Sequence, residues 1–109
     1  MSAQQRGGVF GGAHYCAAKA SVLVVTRAIA REFGPQGIRA NAVAPGLTLT
    51  DFSRSGSTDA AKHASASGWP LSGAANPDEI AGACQFLTSD LSSRVTGTTI
   101  DVNGGAYLR

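Results

Sequence analysis

The chain has 109 residues, of which 43% are hydrophobic and 15% charged, the balance of one ordinary globular domain and not of a disordered chain. Its net charge of +2 comes from nine basic and seven acidic residues scattered along the sequence, without the Lys/Arg stripe that nucleic-acid binding requires. The most apolar run, residues 16–29, is interrupted by Lys19 and Arg27 and is too short to cross a bilayer; residues 1–12 do not resemble a secretory signal. Cys16 and Cys84 lie too far apart to suggest a disulfide framework, and with His14 and His63 they form no zinc-type spacing, so a cytoplasmic protein without a metal is expected.

In chain order, Ala18, Val22, Val25, Ile29 and Phe33 recur at spacings of four, three, four and four, which predicts a helix over residues 14–34. Gly34-Pro35 ends it, with Gly34 suited to the left-handed C-terminal position. The middle of this helix, residues 21–25, is apolar almost all round, so it is expected to have neighbours on two sides, a sheet and a second subunit. Residues 38–44, bounded by Gly37 and Pro45-Gly46, read as a strand running into a sharply turned loop. Residues 45–75 then form a long excursion rich in Ser, Thr, Gly and Ala, with a short helix near residues 58–66; connections of this length usually serve a site. Asn76, Pro77 and Glu79 supply a cap, a first-turn proline and a capping-box acid, which starts a helix over residues 77–89. The β-branched alternation of residues 98–102 predicts a last strand, stopped by Asn103-Gly104-Gly105.

Helix, strand, excursion, helix, strand is half of an α/β doubly wound pattern, in which covering helices link parallel strands. Two strands alone make a poor parallel sheet, because such sheets need several neighbours and both faces covered.

Tyr15 and Lys19 stand four residues apart, on one face of the first helix and within reach of one another. A phenol with its ordinary pKa of about 10 is a weak base near neutrality, and a neighbouring cation favours its anion. At roughly 5 Å and an effective dielectric of about 20, one charge contributes on the order of 3 kcal/mol. Such a pair suits general acid/base work.

These two residues match the Tyr-x-x-x-Lys signature of the short-chain dehydrogenases/reductases, and the matches continue. Lys19-Ala20-Ser21, Ala30-Arg31-Glu32, the run Gly37-Ile38-Arg39-Ala40-Asn41-Ala42-Val43-Ala44-Pro45-Gly46, Pro77-Asp78-Glu79-Ile80-Ala81, Phe86-Leu87, Thr96-Gly97 and Val102-Asn103-Gly104-Gly105 all resemble that family, in the family's order. The resemblance implies the C-terminal part of a doubly wound, Rossmann-like domain whose N-terminal nucleotide-binding half is missing, and an oxidoreductase that transfers hydride between NAD or NADP and an alcohol or ketone, such as a 3-oxoacyl thioester, a sugar or a polyol. It assigns proton transfer to Tyr15, and to Lys19 the support of that phenol and a bond to the nicotinamide ribose. Pro45 and Gly46, with Thr48 and Thr50, match the Pro-Gly-x-x-x-Thr loop that holds the nicotinamide end; residues 47–73 become the substrate lid, with Trp69 and Leu71 as apolar contacts. A dimer or tetramer is implied for the intact form, and an isolated fragment is expected to associate through its open strand edge and apolar helix.

The match also breaks in two places. The family's catalytic serine is met at the common spacing by Ser2, 13 positions before Tyr15, yet residues 6–12 resemble members whose longer loop puts that serine further upstream. No two glycines stand at i and i+2, so the glycine-rich turn that cradles a pyrophosphate is absent, and so is the family's asparagine from the preceding helix. The sequence therefore admits a second class of function, a noncatalytic oligomerisation or regulatory fragment that pairs with a full-length relative.

Overall fold

The computed structural model describes residues 12–51 and 58–108. Among them, helix α1 spans Gly12–Phe33, strand β1 Ala42–Pro45, helix α2 Asp59–Ser65, helix α3 Pro77–Thr88 and strand β2 Thr99–Val102, with short 3-10 turns at Gly34–Gln36 and Asp90–Ser92. β1 and β2 pair in parallel, Ala42 against Thr99 through Pro45 against Val102. Helix α3 lies against both strands and α1 against β1.

The helix ends follow from local chemistry. α1 stops after Phe33, but the left-handed position falls on Gly37 (φ 80°) and not on Gly34, because Pro35 is accommodated in an intervening 3-10 turn closed by Gly37 N–H on Gly34 O at 2.9 Å. At the start of α3, Glu79 Oε2 reaches back to accept the Asn76 N–H at 2.7 Å, as the capping box requires.

The first strand is shorter than the sequence pattern suggests, beginning at Ala42 instead of residue 38. Residues 39–41 run beside residues 95–98 but are joined to them largely through side chains. Asn41 Nδ2 donates to Val95 O at 2.9 Å and its Oδ1 accepts from Thr98 N at 3.2 Å, while Ala40 N donates to Thr96 Oγ1 at 3.1 Å. A regular ladder begins only beyond these links.

The buried apolar residues are small: Ala30, Ala42, Ala44, Ala66 and Ala74, with Leu87. The expected two-sided burial of α1 is not met within the chain. Val24 is 65% exposed and Val25 53%, and Ala30 is the residue of α1 that is buried, beside Gly97. Leu23, Thr26 and Phe33 are half-buried, whereas Val22, Val25 and Ile29 of the apolar stripe remain exposed.

Ser92 ties the layers together. It is fully buried; its hydroxyl lies 2.9 Å from Leu87 O and 3.0 Å from Ser89 O, either of which can take its one proton, and it accepts from Arg39 Nη1 at 3.0 Å. Ser92→Ala is expected to cost about 1–2 kcal/mol by leaving these buried partners short of a bond. A chemical-denaturation midpoint equal to that of the unaltered chain would remove the hydroxyl from this role.

Candidate functional site

At the start of α1, the four-residue spacing brings Lys19 back over Tyr15: the ammonium lies 5.8 Å from the ring centroid, within cation–π range, and both residues are half-buried. No hydrogen bond links the two groups, and the Tyr15 hydroxyl makes none among the described residues. Cys16, the next residue, is a free half-buried thiol, and Cys84 is free as well.

The loop leaving β1 is held from two directions. Gly46 N–H donates to Val102 O at 2.9 Å, extending the β1–β2 pair by one link. Beyond it, Ala75 N donates to Leu47 O and Leu49 N to Ala75 O, both at 2.9 Å, so residues 47–49 run as a short ribbon beside Ala75. Thr48 Oγ1 donates to Gly46 O at 3.1 Å, and Thr48 and Thr50 are both further engaged within the chain. Glycine at position 46 answers first to the fold: a Cβ there would sit 2.8 Å from Asn103 Cα. The close approach is therefore intramolecular, where the sequence pattern suggested room for a ligand.

Beside this loop opens a cleft of about 470 Å³. Its lining includes Gly46, Leu47, Trp69, Leu71, Tyr107 and Leu108. Trp69 and Leu71 were candidates on sequence grounds; Tyr107 and Leu108 were not. The signal for them lay in Gly104-Gly105, whose positive φ values (62° and 84°) fold the tail back, with Gly105 under Pro70 and Leu71 N–H on Gly104 O at 2.9 Å. Buried Asn103 fixes this turn, its Oδ1 accepting from Gly105 N at 2.8 Å and its Nδ2 donating to Tyr107 O at 3.3 Å. The cleft's charged lining residues are acidic, Glu79 and Asp101.

The structure thus gathers Tyr15 with Lys19, and Pro45, Gly46, Thr48 and Thr50 on one loop with the cleft, while Ser2 lies outside the described residues. Among the described residues no group of His, Cys, Asp and Glu could hold a metal ion, and no helix is long and apolar enough to cross a membrane.

A parallel strand pair with helices packed against it, a Tyr-x-x-x-Lys helix and a Pro-Gly loop at a strand end, defines an α/β class of protein. The family model described as enoyl-(acyl carrier protein) reductase matches residues 1–107, and the chain belongs to the short-chain dehydrogenase/reductase family. It is 50% identical, over 99% of its own length and 43% of the relative's, to an uncharacterized short-chain type dehydrogenase/reductase of Sinorhizobium fredii. It is 42% identical to the 3-oxoacyl-[acyl-carrier-protein] reductase of Haemophilus influenzae, over 90% of this chain and 40% of that one. A 3-oxoacyl-[acyl-carrier protein] reductase from Brucella melitensis, solved with bound NAD, superimposes with a TM-score of 0.82 at 34% identity, covering 99% of this chain and 39% of the other. The chain therefore spans about two fifths of the proteins it matches, and its elements are part of their doubly wound Rossmann fold.

Proposed function

We propose that the protein carrying this chain is an NAD(P)-dependent oxidoreductase acting on a small alcohol or ketone, with Tyr15 as general acid/base and Lys19 as its cationic partner. The observation that carries this reading is the Lys19 ammonium over the Tyr15 ring, on a helix lying inside a family match to residues 1–107. The nicotinamide, when bound, gives or takes up the hydride. Tyr15 passes a proton to or from the substrate oxygen, and Lys19, with three N–H donors, bonds the ribose hydroxyls. Pro45, Gly46, Thr48 and Thr50 hold the nicotinamide end, Ser2 polarises the substrate carbonyl, and residues 45–75 form the loop over cofactor and substrate.

The Pro45-Gly46 loop beside the cleft, and the Tyr15–Lys19 pair on α1, which is not among the cleft's lining residues, supply the hydroxyl, phenol and ammonium groups that the nicotinamide end calls for. A glycine-rich pyrophosphate turn is not among this chain's residues, so this segment acts as the C-terminal catalytic portion of its domain. The apolar walls of Trp69, Leu71 and Leu108 suit an acyl or alkyl group, and a 3-oxoacyl thioester joins simple alcohols and polyols as a candidate because one relative is a 3-oxoacyl-carrier-protein reductase. The exposed valines of α1 favour a second role for the same segment, subunit contact in a dimer or tetramer, including pairing with a full-length relative.

Titration of NADH and NADPH into the purified full-length protein that carries this chain, followed by fluorescence and calorimetry, tests the proposal. Saturable binding that weakens about ten-fold in Lys19→Met is the expected result, the change for one lost charge-assisted hydrogen bond. Absence of binding by folded protein would leave the subunit-contact role alone.

A further inference from the structure

We infer that the chain carries an anion-binding site at the amino ends of its two strands, suited to the phosphate of a small phosphomonoester. A cavity of about 510 Å³ opens there, within the usual range of small-molecule sites. Gly34, Gly37, Ile38 and Arg39 line it from the turn after α1, and Asp90, Ser93, Arg94 and Thr96 from the turn before β2. Because β1 and β2 are parallel, it lies at the opposite end of the pair from the Pro45-Gly46 loop, and it shares no lining residue with the cleft beside that loop. A Cβ at Gly34 or Gly37 would meet nothing within 4 Å, so no side chain among the described residues fills the space beside them.

The state of Arg39 points to an anion. Its side chain is half-buried, and Nη1 donates to the fully buried Ser92 Oγ at 3.0 Å and to Val95 O at 3.3 Å. A guanidinium has five N–H donors, and those on Nη2 and Nε find no acceptor among the described residues. The described residues include all seven Asp and Glu of the chain, and none of these pairs with Arg39 or with Arg94. A guanidinium drawn partly out of water without an anionic partner is costly, and an anion at its open donors offsets that cost.

Most of the remaining lining donates as well. The Ser93 hydroxyl has no hydrogen bond among the described residues, and Thr96 Oγ1 accepts from Ala40 N–H at 3.1 Å, which leaves its own proton to donate. Phosphate oxygens match such a set, and the planar fork of arginine suits them. Asp90 is the exception, an unpaired carboxylate that calls for a hydroxyl on the organic part of the ligand, while Ile38, 48% exposed, offers its carbons an apolar contact. The walls are held by backbone bonds of their own: Gly37 N–H on Gly34 O at 2.9 Å, Ser93 N–H on Asp90 O at 3.0 Å and Gly97 N–H on Ala40 O at 2.7 Å. Binding therefore orders little that is not already ordered. The site does not rest on the hydride chemistry proposed above, and a failed cofactor titration leaves it standing.

Calorimetric titration of inorganic phosphate and of glycerol phosphate into the purified full-length protein that carries this chain tests it. Fixed ionic strength and about pH 7.5 keep the phosphomonoester largely dianionic. Saturable binding of both probes is expected, tighter for the ester. Arg94→Gln, which breaks no bond among the described residues, is expected to weaken binding about ten-fold, the loss of one charge-assisted contact. Asp90→Asn removes a like charge and is expected to tighten inorganic phosphate about three-fold. Absence of saturable binding overturns the site, and so does an affinity that neither substitution moves, which marks an adventitious ion only. Equal affinities for the two probes overturn the ester and leave free phosphate as the ligand.

Discussion

Replacing Tyr15 with phenylalanine is expected to lower kcat by about 10²–10⁴-fold, the range of a positioned general acid/base, with little change in substrate KM. The substitution removes one hydroxyl and leaves the ring, so the seat of the Lys19 ammonium at 5.8 Å is kept. The hydroxyl has no hydrogen bond among the described residues, and its removal therefore costs the fold nothing that the structure shows. Cofactor affinity and thermal stability are expected to stay level while turnover collapses. Steady-state kinetics beside a thermal melt separate the two. A variant that keeps more than about a tenth of the activity would take proton transfer away from Tyr15.

Gly46→Ala is expected to act on the fold before it acts on any ligand. The added methyl would lie 2.8 Å from Asn103 Cα, 3.0 Å from its carbonyl oxygen and 3.1 Å from its Cβ. These atoms are backbone or attached directly to it, and no rotamer change moves them aside. The end of β2 must shift, and with it the Gly46 N–H bond to Val102 O and the Asn103 contacts that fold the tail. A loss of about 3 kcal/mol, the upper end for overpacking, is expected, measured by denaturant unfolding. Gly82→Ala is the control: nothing lies within 4 Å of its added methyl, and alanine in a helix interior is expected to raise stability by about 0.5–1 kcal/mol. Equal stability of Gly46→Ala and the unaltered chain would show that β2 yields at this contact without cost.

Where local chemistry decides, the sequence was readable. The spacing of Val22, Val25 and Ile29 marks α1 as a helix, Asn76 with Glu79 marks the start of α3, and the β-branched Thr98–Thr99–Ile100 run marks β2. Where distant residues decide, it was not. The early start expected for β1 fails because Asn41 bonds across to Val95 and Thr98, partners more than fifty positions away. The same holds for burial: Lys62 is 3% exposed, and no spacing in the sequence announces it.

The candidate site divides the same way. Tyr15 and Lys19 need only helical geometry to meet, and four positions in the sequence suffice to see them together. The cleft needs the tail to turn at Gly104 and Gly105 and to lie over Pro70 and Leu71, a closure that no spacing announces. For Gly46 the motif marked the position while the structure supplied a different neighbour, Asn103, for its missing side chain.

The parallel pairing of β1 with β2 also sets an order of events. Asn41 and Thr98, 57 positions apart, adjoin the ladder from Ala42 to Pro45, whose partners are equally distant in sequence. Bringing such distant segments together carries a loop-closure cost that α1, built from bonds four residues apart, does not. α1 can therefore form while its sheet is still half made, and Val22, Val25 and Ile29 stay exposed even once β1 and β2 are paired. Sheet formation does not close that face, so the chain stays open to capture by chaperones or by its own copies for as long as no other surface covers α1.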